Sequence, residues 1–372
     1  MPSRNLHEDP FDYSTITKLE IFEDYAQAWI PTFVMKEKPV ICIFDFFAGT
    51  GYDVNGTPGS PIRILKKIKD HIGHIFQKKT RIKLYLNEFE PDRSTQRKHS
   101  LLKEACEEYL NLNQDVKRAI ELHIFNENFE DLFPTLLPEI KLHPSLVFVD
   151  QNGVKFLSDK YLLEFEKMNQ TDFLYFVSSS YFWRLGNTEE FKKHVKLDIE
   201  LLKKEPFNLI HRNLIIQLKQ KLPENTKLKL YPFSIKKGKN IFGIIFGASH
   251  PLAVDKFLGI AWKRNRINGQ ANFDMDQDTP SAQLAIFEIP KLTKIEKFKD
   301  TFREKLNSGE IKSNFDALNF VHEEGHIGKH ASDVIREMKG KEITYDSNSP
   351  CITYEKVHSN QKKLVTFKLI SK

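Results

Sequence analysis

Short, mostly apolar runs that end on a polar side chain constrain the fold of this sequence most. Five such runs lie in the first half of the chain, at residues 40–44, 82–86, 122–125, 146–149 and 173–177. Amphipathic segments typical of helices alternate with them, beginning with residues 17–30, a helix that Pro31 is expected to end. Apolar strands that alternate with helices indicate a mostly parallel sheet covered on both faces. The sequence therefore predicts a doubly wound α/β domain.

The pattern changes in the second half of the chain. Residues 185–222 read as helical, and residues 227–235 with 241–248 predict a hairpin that adds an antiparallel pair at the sheet edge. After Pro290, three helical stripes that each end on a glycine precede two alternating runs, at residues 343–345 and 363–367. Three short helices followed by a hairpin is the order of a winged helix. We predict an α/β domain over residues 1–288, with a basic helical insertion at about 185–226, and a winged helix-turn-helix domain over 289–372.

Positive charge is concentrated in part of the chain. The net charge is +6, and residues 185–240 hold 13 Lys and Arg against six Asp and Glu. A polyanion such as nucleic acid suits this surface, although lysines that only solvate helices are an equal alternative for this block. The predicted nucleic-acid contacts are Lys236, Lys237, Lys239, Lys329 and Arg336.

The cellular compartment follows from what the composition excludes. The three cysteines are far apart and show no Cys-x-x-Cys spacing, which is typical of reduced thiols in the cytoplasm and argues against a cysteine-ligated zinc site. The apolar runs are too short to span a bilayer, and residues 1–5 lack the apolar core of a signal peptide. We expect a cytoplasmic protein with no membrane partner.

A glycine-rich turn follows the first apolar run, in the sequence Asp45-Phe46-Phe47-Ala48-Gly49-Thr50-Gly51. At a switch point of an α/β sheet, such a turn binds nucleotide-like ligands, and glycine permits positive φ and close backbone approach. An NAD fingerprint needs a third glycine where Val54 stands, and no Gly-Lys-Ser/Thr follows for an ATP P-loop. The pattern Phe-x-Gly-x-Gly is instead that of class I S-adenosylmethionine methyltransferases. An ordinary strand–helix turn is the alternative interpretation.

Longer stretches extend this similarity over most of the chain. They are the helix 18–29 and the segments FDFFAGTGYDVNGTPGSP, LYLNEFEPDR, VFVDQNG, FGASHPLAVDKFLGIAWK and GKHASDVIREMKGKEI. Together they resemble the three-Cys-motif partner proteins, which are predicted methyltransferases that commonly end in a winged helix. The resemblance implies a Rossmann-like class I methyltransferase sheet, S-adenosylmethionine as cofactor, and a three-Cys-motif partner protein.

The resemblance also implies a role for each residue of the cofactor site. Asp45 would orient the amino group of the cofactor, and Phe47, Gly49 and Gly51 would line its backbone cradle. Glu88 would accept both ribose hydroxyls, with Glu90 as second candidate, because a carboxylate accepts two hydrogen bonds at once. Asn128 would meet the adenine edge, and Asn126 is placed equally well for that contact.

The predicted acceptor site follows the fourth apolar run. Nucleic-acid amino-methyltransferases carry an acid or amide followed by proline there, and the relatives usually show Asp-Pro-x-Gly where this chain has Asp150-Gln151-Asn152-Gly153. We predict Asp150 and Gly153 as the catalytic residues, an accepting carboxylate on a tight turn. The missing proline loosens the backbone and weakens the case for a strictly amino-directed reaction. Capping of the following helix is the other interpretation of Asp150.

Two further groups of side chains have both a functional and a structural interpretation. The run Tyr181-Phe182-Trp183 suits stacking of an extruded base, although such a run is more often core. His322, His326 and His330 have the spacing of metal ligands, but glycines interrupt the segment, so no metal is expected.

The sequence thus predicts an S-adenosylmethionine-dependent methyltransferase that acts on nucleic acid, with a base amino group as one acceptor, together with a partner protein. Two alternatives stay open. The chain is then either a cofactor-binding regulator or complex subunit without transfer activity, or a methyltransferase that acts on protein.

Overall fold

The computed structural model describes residues 10–91, 97–151, 158–186, 188, 192, 196–204, 206–278, 292–360 and 362–370. The chain divides into two compact units between His250 and Pro251. The predicted domain boundary between residues 288 and 289 lies outside the described residues and stays a prediction.

A seven-stranded sheet with the order β3-β2-β1-β4-β5-β7-β6 is the centre of the first unit. Its strands are β1 (Val40–Asp45), β2 (Arg81–Asn87), β3 (Ile120–Phe125), β4 (Ser145–Val149), β5 (Thr171–Ser178), β6 (Lys229–Lys237) and β7 (Asn240–Ala248). The first five pair in parallel, whereas β7 is antiparallel to β5 and β6. The strand order reverses between β1 and β4, which places the switch point there. The predicted Rossmann-like sheet, mostly parallel with an antiparallel edge hairpin, is confirmed.

Ten α-helices of the first unit and a 3-10 turn at Phe207–Leu209 fall within the described residues. The α-helices are α1 (Tyr13–Val34), α2 (Ser60–Asp70), α3 (Ile72–Gln77), α4 (Arg97–Leu112), α5 (Gln114–Ala119), α6 (Phe129–Leu142), α7 (Asp159–Glu166), α8 (Ser179–Leu185), α9 (Ile199–Lys204) and α10 (Ile210–Gln220).

Helix α1 is longer than its sequence predicts. Pro31 does not end it, because the helix continues to Val34 and the Pro31 carbonyl accepts a hydrogen bond from the Met35 N–H at 2.9 Å. A proline removes one backbone hydrogen bond and crowds the preceding turn. The fully buried Ile30 and Val34 lie on either side of it, and their burial offsets that cost.

Phenylalanines fill the core on the two faces of the sheet. Phe22 of α1 stacks on Phe148 of β4 with ring centroids 4.2 Å apart. Val147 and Val149 point to the opposite face, where the core includes Phe46 and Phe129, with ring centroids 5.0 Å apart. Each fully buried Phe stabilises the fold by roughly 1.5–3 kcal/mol. The sheet is therefore held by helices on both sides.

The second unit contains the three helices and the hairpin predicted for its C-terminal part. Its elements are α11 (Pro251–Arg264), α12 (Lys294–Asn307), α13 (Asn314–Glu323), α14 (Gly328–Met338), β8 (Ile343–Thr344), α15 (Tyr354–His358) and β9 (Lys368–Leu369). Thr293 and Glu296 form a capping box that starts α12. Phe302, Leu318 and Val334, one from each of the three predicted helices, are fully buried in the same core.

The second strand of the hairpin is displaced from its predicted position. Residues 363–367 were predicted to form it, but β8 pairs with Lys368 and Leu369. The Asn314 side chain donates to the Lys363 carbonyl at 2.8 Å and accepts from the Val365 N–H at 3.0 Å. These bonds to the start of α13 occupy backbone groups that a strand pairing would use, so the prediction for 363–367 is wrong.

Among the described residues, no helix combines the length and the apolar character that crossing a bilayer requires.

Candidate cofactor and acceptor site

The glycine turn after β1 is held by backbone bonds to neighbouring elements. Gly49 and Gly51 have φ of +69° and +90°, which confirms the predicted positive φ at both positions. The Ala48 N–H donates to the carbonyl of Asn87 at 2.9 Å, and the Gly59 N–H donates to the carbonyl of Gly51 at 2.8 Å. The turn is therefore fastened to the end of β2 and to the start of α2.

Close packing explains the absence of a side chain at position 51. A Cβ on Gly51 would lie 2.7 Å from the Cβ of Ala105 in α4. A substitution at Gly51 therefore disturbs the fold itself, so it does not report on cofactor binding alone.

Glu88 lies directly at this turn. Its Oε2 accepts a hydrogen bond from the Gly49 N–H at 2.8 Å, and the residue is buried. Glu90, the second candidate for the ribose contact, accepts instead from the Lys98 N–H in the first turn of α4 at 2.7 Å. The structure thus brings Glu88 to the glycine turn and gives Glu90 a helix-capping contact.

Asn87 supports the turn and was not singled out from the sequence. Its side chain donates to the carbonyls of Phe46 and Glu127, at 3.1 and 3.0 Å, and accepts from the Glu127 N–H at 3.0 Å. One amide thus joins the ends of β1 and β2 to the segment after β3. Its position at the end of an apolar strand, just before Glu88, is the sequence feature that could have identified it as a residue supporting the site.

Asp45 ends β1 and is almost completely buried. Its Oδ1 accepts from the Phe47 N–H at 3.1 Å, whereas Oδ2 is buried with no hydrogen-bond partner in the described part of the chain. Burial raises the pKa of this carboxyl to about 7, although hydrogen bonds from Ser60 and the Phe47 N–H lower it, and the negative charges of Asp150 and Glu88 add smaller increases. A cationic group placed at Oδ2 would compensate both the burial of the carboxylate charge and its repulsion by Asp150 and Glu88.

The two asparagines proposed for the adenine edge both have structural contacts. Asn128 is the N-cap of α6 and accepts from the Glu130 N–H at 3.0 Å, and Asn126 accepts from the Glu90 N–H at 2.9 Å. Phe47 stacks on Phe129, the residue after Asn128, with ring centroids 5.8 Å apart. Both bonds use the amide oxygen and only that of Asn128 caps a helix, so the choice between Asn126 and Asn128 for the adenine edge stays a prediction.

Asp150 follows β4, on the same edge of the sheet as Asp45, because Asp45 pairs with Phe148. Its Oδ2 is bonded to the ammonium of Lys18, a buried residue of α1. The ammonium also lies over the ring of Phe176 in β5, 4.4 Å from the centroid. Sequence reasoning included Lys18 only as the first residue of a helix. Gly153, the other predicted catalytic residue, lies outside the described residues.

The same face continues towards the edge hairpin. Phe176 stacks on Phe242 of β7 with ring centroids 5.6 Å apart, and Lys237 lies over Phe242 at 6.0 Å. Lys237 also pairs with Asp12, which caps the start of α1. Burial opposes ionisation of Asp12, but the hydrogen bonds from Lys237, Ser14 and the Thr15 N–H together outweigh it, so the pKa is lowered.

The predicted nucleic-acid contacts are surface residues. Lys236, Lys237 and Lys239 are exposed at the end of the β6–β7 hairpin, and Lys329 and Arg336 are exposed on α14. The guanidinium of Arg336 lies 3.4 Å from the Asp333 carboxylate, which reduces the net charge of that helix surface.

Of the aromatic run after β5, Phe182 belongs to the core and is 1% exposed. Trp183 is partly exposed and packs edge-on against Phe207 at 5.2 Å. Stacking of a base therefore stays a prediction for Trp183 and has no support at Phe182.

The cysteines at positions 42 and 106 are buried, and burial raises the pKa of both thiols to about 12. Thiols that stay protonated are poor nucleophiles, which agrees with the absence of a Pro-Cys motif for a cysteine-adduct mechanism.

Of the three histidines singled out from the sequence, His326 and His330 contact each other, whereas Nε2 of His322 lies 3.2 Å from the Asp255 carboxylate. The Nδ1 atoms of His326 and His330 lie 2.9 Å apart, and both rings pack against Trp262. Burial lowers the pKa of His326 to about 2 and that of His330 to about 4. Within the described ranges, no group of three or more His, Cys, Asp or Glu side chains is arranged to hold a metal ion.

Comparison with known proteins identifies the C-terminal region. Residues 272–350 match the model of the GMT-like winged helix-turn-helix domain. The predicted winged-helix domain is therefore confirmed, whereas membership of the whole chain in the three-Cys-motif partner family stays a prediction. No curated protein matches the chain.

One similar solved structure is the O-methyltransferase TomG from Streptomyces achromogenes, which is involved in tomaymycin synthesis and was solved in complex with S-adenosylmethionine. It is 14% identical to this chain, the match covers 64% of this chain and 90% of TomG, and the TM-score is 0.32. At that distance the likeness carries no conclusion about cofactor or reaction.

Proposed function

We propose that this chain is an S-adenosylmethionine-dependent methyltransferase that acts on nucleic acid. The observation that carries the proposal is the cluster of Asp45, Gly49 and Glu88, which lies where the neighbouring strands β1 and β2 end, beside the switch point of the sheet. Ligands of open α/β sheets bind at this place. Two buried carboxylates around a glycine turn suit a ligand with one amino group and several hydroxyls.

The residues present fit the proposed cofactor. The amino group would neutralise Asp45, whose buried Oδ2 has no hydrogen-bond partner among the described residues. Glu88 would take the ribose hydroxyls beside the hydrogen bond that it accepts from the Gly49 N–H, because a carboxylate can accept several hydrogen bonds at once. When bound, the cofactor supplies an electrophilic methyl group on a sulfonium centre.

The remaining work belongs to the side chains at the end of β4. Methyl transfer needs an acceptor held in line with the methyl group and a place for the acceptor's proton. Asp150 is on the same edge of the sheet as Asp45 and supplies a carboxylate for that proton. Lys18 holds this carboxylate in position through their ion pair.

The winged helix supports nucleic acid as the substrate. Such domains place a helix on nucleic acid, and here Lys329 and Arg336 are exposed on α14. The exposed lysines of the β6–β7 hairpin add positive charge on the first unit. A three-Cys-motif partner protein, implied by the sequence resemblance, is part of the proposal.

Calorimetry of S-adenosylmethionine binding tests the cofactor assignment. Glu88→Ala should weaken binding by roughly 1.5–3 kcal/mol, the scale of a hydrogen bond to a charged group. Glu90→Ala is the matched control, because Glu90 caps α4 and its loss should reduce stability without changing affinity. Equal losses of affinity in the two variants would show that the ribose acid is misassigned.

The substrate class is tested by incubating the protein with methyl-labelled S-adenosylmethionine and separate pools of DNA, RNA and protein. Label in nucleic acid is the expected result. Label in protein alone would show that the substrate is a protein. Cofactor binding without transfer to any pool, with and without the partner protein, would favour a regulator that lacks transfer activity.

A further inference from the structure

The ion pair between Lys18 and Asp150 has an unusual setting. The side chain of Lys18 is 9% exposed and that of Asp150 is 18% exposed. The other buried side chains around Lys18 on α1 include Phe22 and Tyr25, which pack on the sheet. Lys18 therefore lies between a first turn that buries the polar Ser14 and Thr17 and the following turns, which pack aromatic side chains on the sheet.

Stability alone does not account for a lysine at this position. Removing two charges from water is costly, and apolar residues of similar volume often stabilise a fold equally well. The ammonium is also held from a second side by the ring of Phe176, so its position relative to Asp150 is fixed by the sheet. Both groups lie at the edge of the sheet where the proposed function places the methyl acceptor.

From this pair, and resting on the proposed function, we infer that the methyl acceptor is a hydroxyl oxygen, the ribose 2′-hydroxyl of RNA, and that Lys18 is a catalytic residue that binds this oxygen. A hydroxyl has one O–H donor and two acceptor lone pairs. It can donate to Asp150, accept from the Lys18 ammonium with one lone pair, and still have a lone pair for the methyl carbon.

A base amino group does not match this pair of side chains. Its nitrogen has two N–H donors and one lone pair, and this lone pair is delocalised into the base ring. A binding site for such a group therefore needs hydrogen-bond acceptors only. A lysine ammonium has three donors and no acceptor. Placed beside an amino acceptor, it would compete for the one lone pair that the reaction uses.

The choice of RNA follows from the hydroxyl. Within a nucleic-acid strand, the 2′-hydroxyl is the group that distinguishes RNA from DNA. Among nucleic acids, an internal hydroxyl acceptor therefore means RNA.

The atoms and charges of the step balance without another reactant. The ribose oxygen forms a bond to the methyl carbon while the carbon–sulfur bond of the sulfonium donor breaks, and its electron pair stays on sulfur as a neutral thioether. The hydroxyl proton passes to the Asp150 carboxylate and from there to water. The Lys18 ammonium stabilises the negative charge that develops on the oxygen and exchanges no proton in the step.

The first test identifies the product of the unaltered protein. RNA and a 2′-deoxy strand of the same sequence are incubated with S-adenosylmethionine, with and without the partner protein, digested to nucleosides and analysed by mass spectrometry. The inference expects 2′-O-methylnucleosides from RNA and no product from the deoxy strand. A methyl group on a base overturns this inference and leaves the proposed function intact, whereas cofactor binding without methylation of any nucleic acid overturns the proposed function as well.

The second test separates Lys18 from a structural role. Lys18→Met keeps the length and apolar stem of the side chain and should lower kcat by about 100-fold or more, with the Kd for S-adenosylmethionine within twofold. Lys18→Arg keeps a cation and should retain more activity than Lys18→Met. Lys36→Met is the matched control, because Lys36 also lies over an aromatic ring, that of Phe33, but is exposed beyond the end of α1.

The melting temperature shows whether a variant is folded. If Lys18→Met melts close to the wild type and kcat is unchanged, Lys18 has no catalytic role and the inference fails. If Lys18→Met does not fold, the product analysis and the comparison of Lys18→Arg with the wild type still decide the question.

Discussion

At the scale of single residues, Asp45 combines a cost to the fold with a role in the proposed site. Burial raises its pKa from the ordinary 3.8 to about 7, so the folded state favours the protonated acid. A group shifted in this direction contributes its full stability below pH 3.8 and loses that contribution as the pH rises through about 7. In the protein without ligand, the contribution of Asp45 to the free energy of unfolding should therefore be less favourable at pH 8 than at lower pH.

The prediction concerns Asp45→Asn, which replaces the carboxyl with a neutral group of the same shape. The free energy of unfolding without cofactor should rise at pH 8, on the order of 2–4 kcal/mol, because the ionisation penalty disappears. The difference should shrink towards zero at pH 4. Affinity for S-adenosylmethionine should fall at least tenfold, since the amide has no charge to offer an ammonium group. Urea denaturation at several pH values and calorimetry measure the two effects.

The exposed Asp131 provides the control for this variant. Asp131→Asn should show no comparable gain at pH 8. A destabilised Asp45→Asn at pH 8 would mean that the carboxylate has a favourable partner and that Oδ2 is not a vacant place for a cation.

At the scale of elements, the contact between the glycine turn and α4 allows a double-mutant test. Gly51→Ala should lower the free energy of unfolding by about 2–5 kcal/mol, from the strain at φ +90° and from the 2.7 Å approach to Ala105. Ala105→Gly costs roughly 1 kcal/mol by itself inside α4, but combined with Gly51→Ala it should show a favourable coupling energy of about 1–3 kcal/mol, the packing part, and leave the strain. Urea denaturation of the single and double variants measures this coupling.

Gly56 separates strain from packing. It has φ +76°, but a Cβ there would have no atom within 4 Å. Gly56→Ala should cost only the strain, and Ala105→Gly should not restore it. Equal coupling of Ala105→Gly to both glycine variants would contradict the packing explanation for Gly51.

The elements also show what could be predicted from the sequence. Local patterns predict the five parallel strands, the edge hairpin and the acids at strand ends. These patterns are apolar runs rich in β-branched and aromatic residues, a glycine in the hairpin turn, and a polar residue where each strand ends. The displaced strand after residue 363 depends on Asn314, whose side chain bonds to Lys363 and Val365 some 50 residues later. No local pattern contains that information.

The candidate site divides in the same way. Asp45 and Glu88 could be predicted because each stands at the end of a strand. Both accept hydrogen bonds from N–H groups of the same glycine turn after β1. Lys18 was missed as a site residue because Asp150, its partner, is 132 positions away and the sequence around Lys18 shows only helical periodicity. Tertiary pairing, and not local chemistry, brings the lysine to the acceptor edge.

At the scale of the whole molecule, affinity for a polyanion depends on how many exposed basic side chains are available to bind phosphates. The hairpin lysines are exposed, but Lys237 already pairs with Asp12 and so offers less to a phosphate than a lysine without such a partner. Arg336 likewise lies near Asp333. Counting basic residues therefore overstates the charge that nucleic acid would meet.

The last prediction uses this difference within the hairpin. Each phosphate contact on single-stranded nucleic acid contributes about 0.7 to the slope of log K against log salt concentration. Lys239→Gln should reduce the slope by about 0.7 if Lys239 contacts a phosphate, whereas Lys237→Gln should reduce it by less, because its ammonium is already paired with Asp12. Lys66→Gln removes one exposed lysine elsewhere and should leave the slope unchanged. Fluorescence anisotropy of a labelled RNA at several salt concentrations measures the slopes, and cofactor affinity should not move. If the hairpin variants bind with the wild-type slope, the lysines there only solvate the surface, and the slope should instead fall in Lys329→Gln with Arg336→Gln, because the winged helix then makes the phosphate contacts.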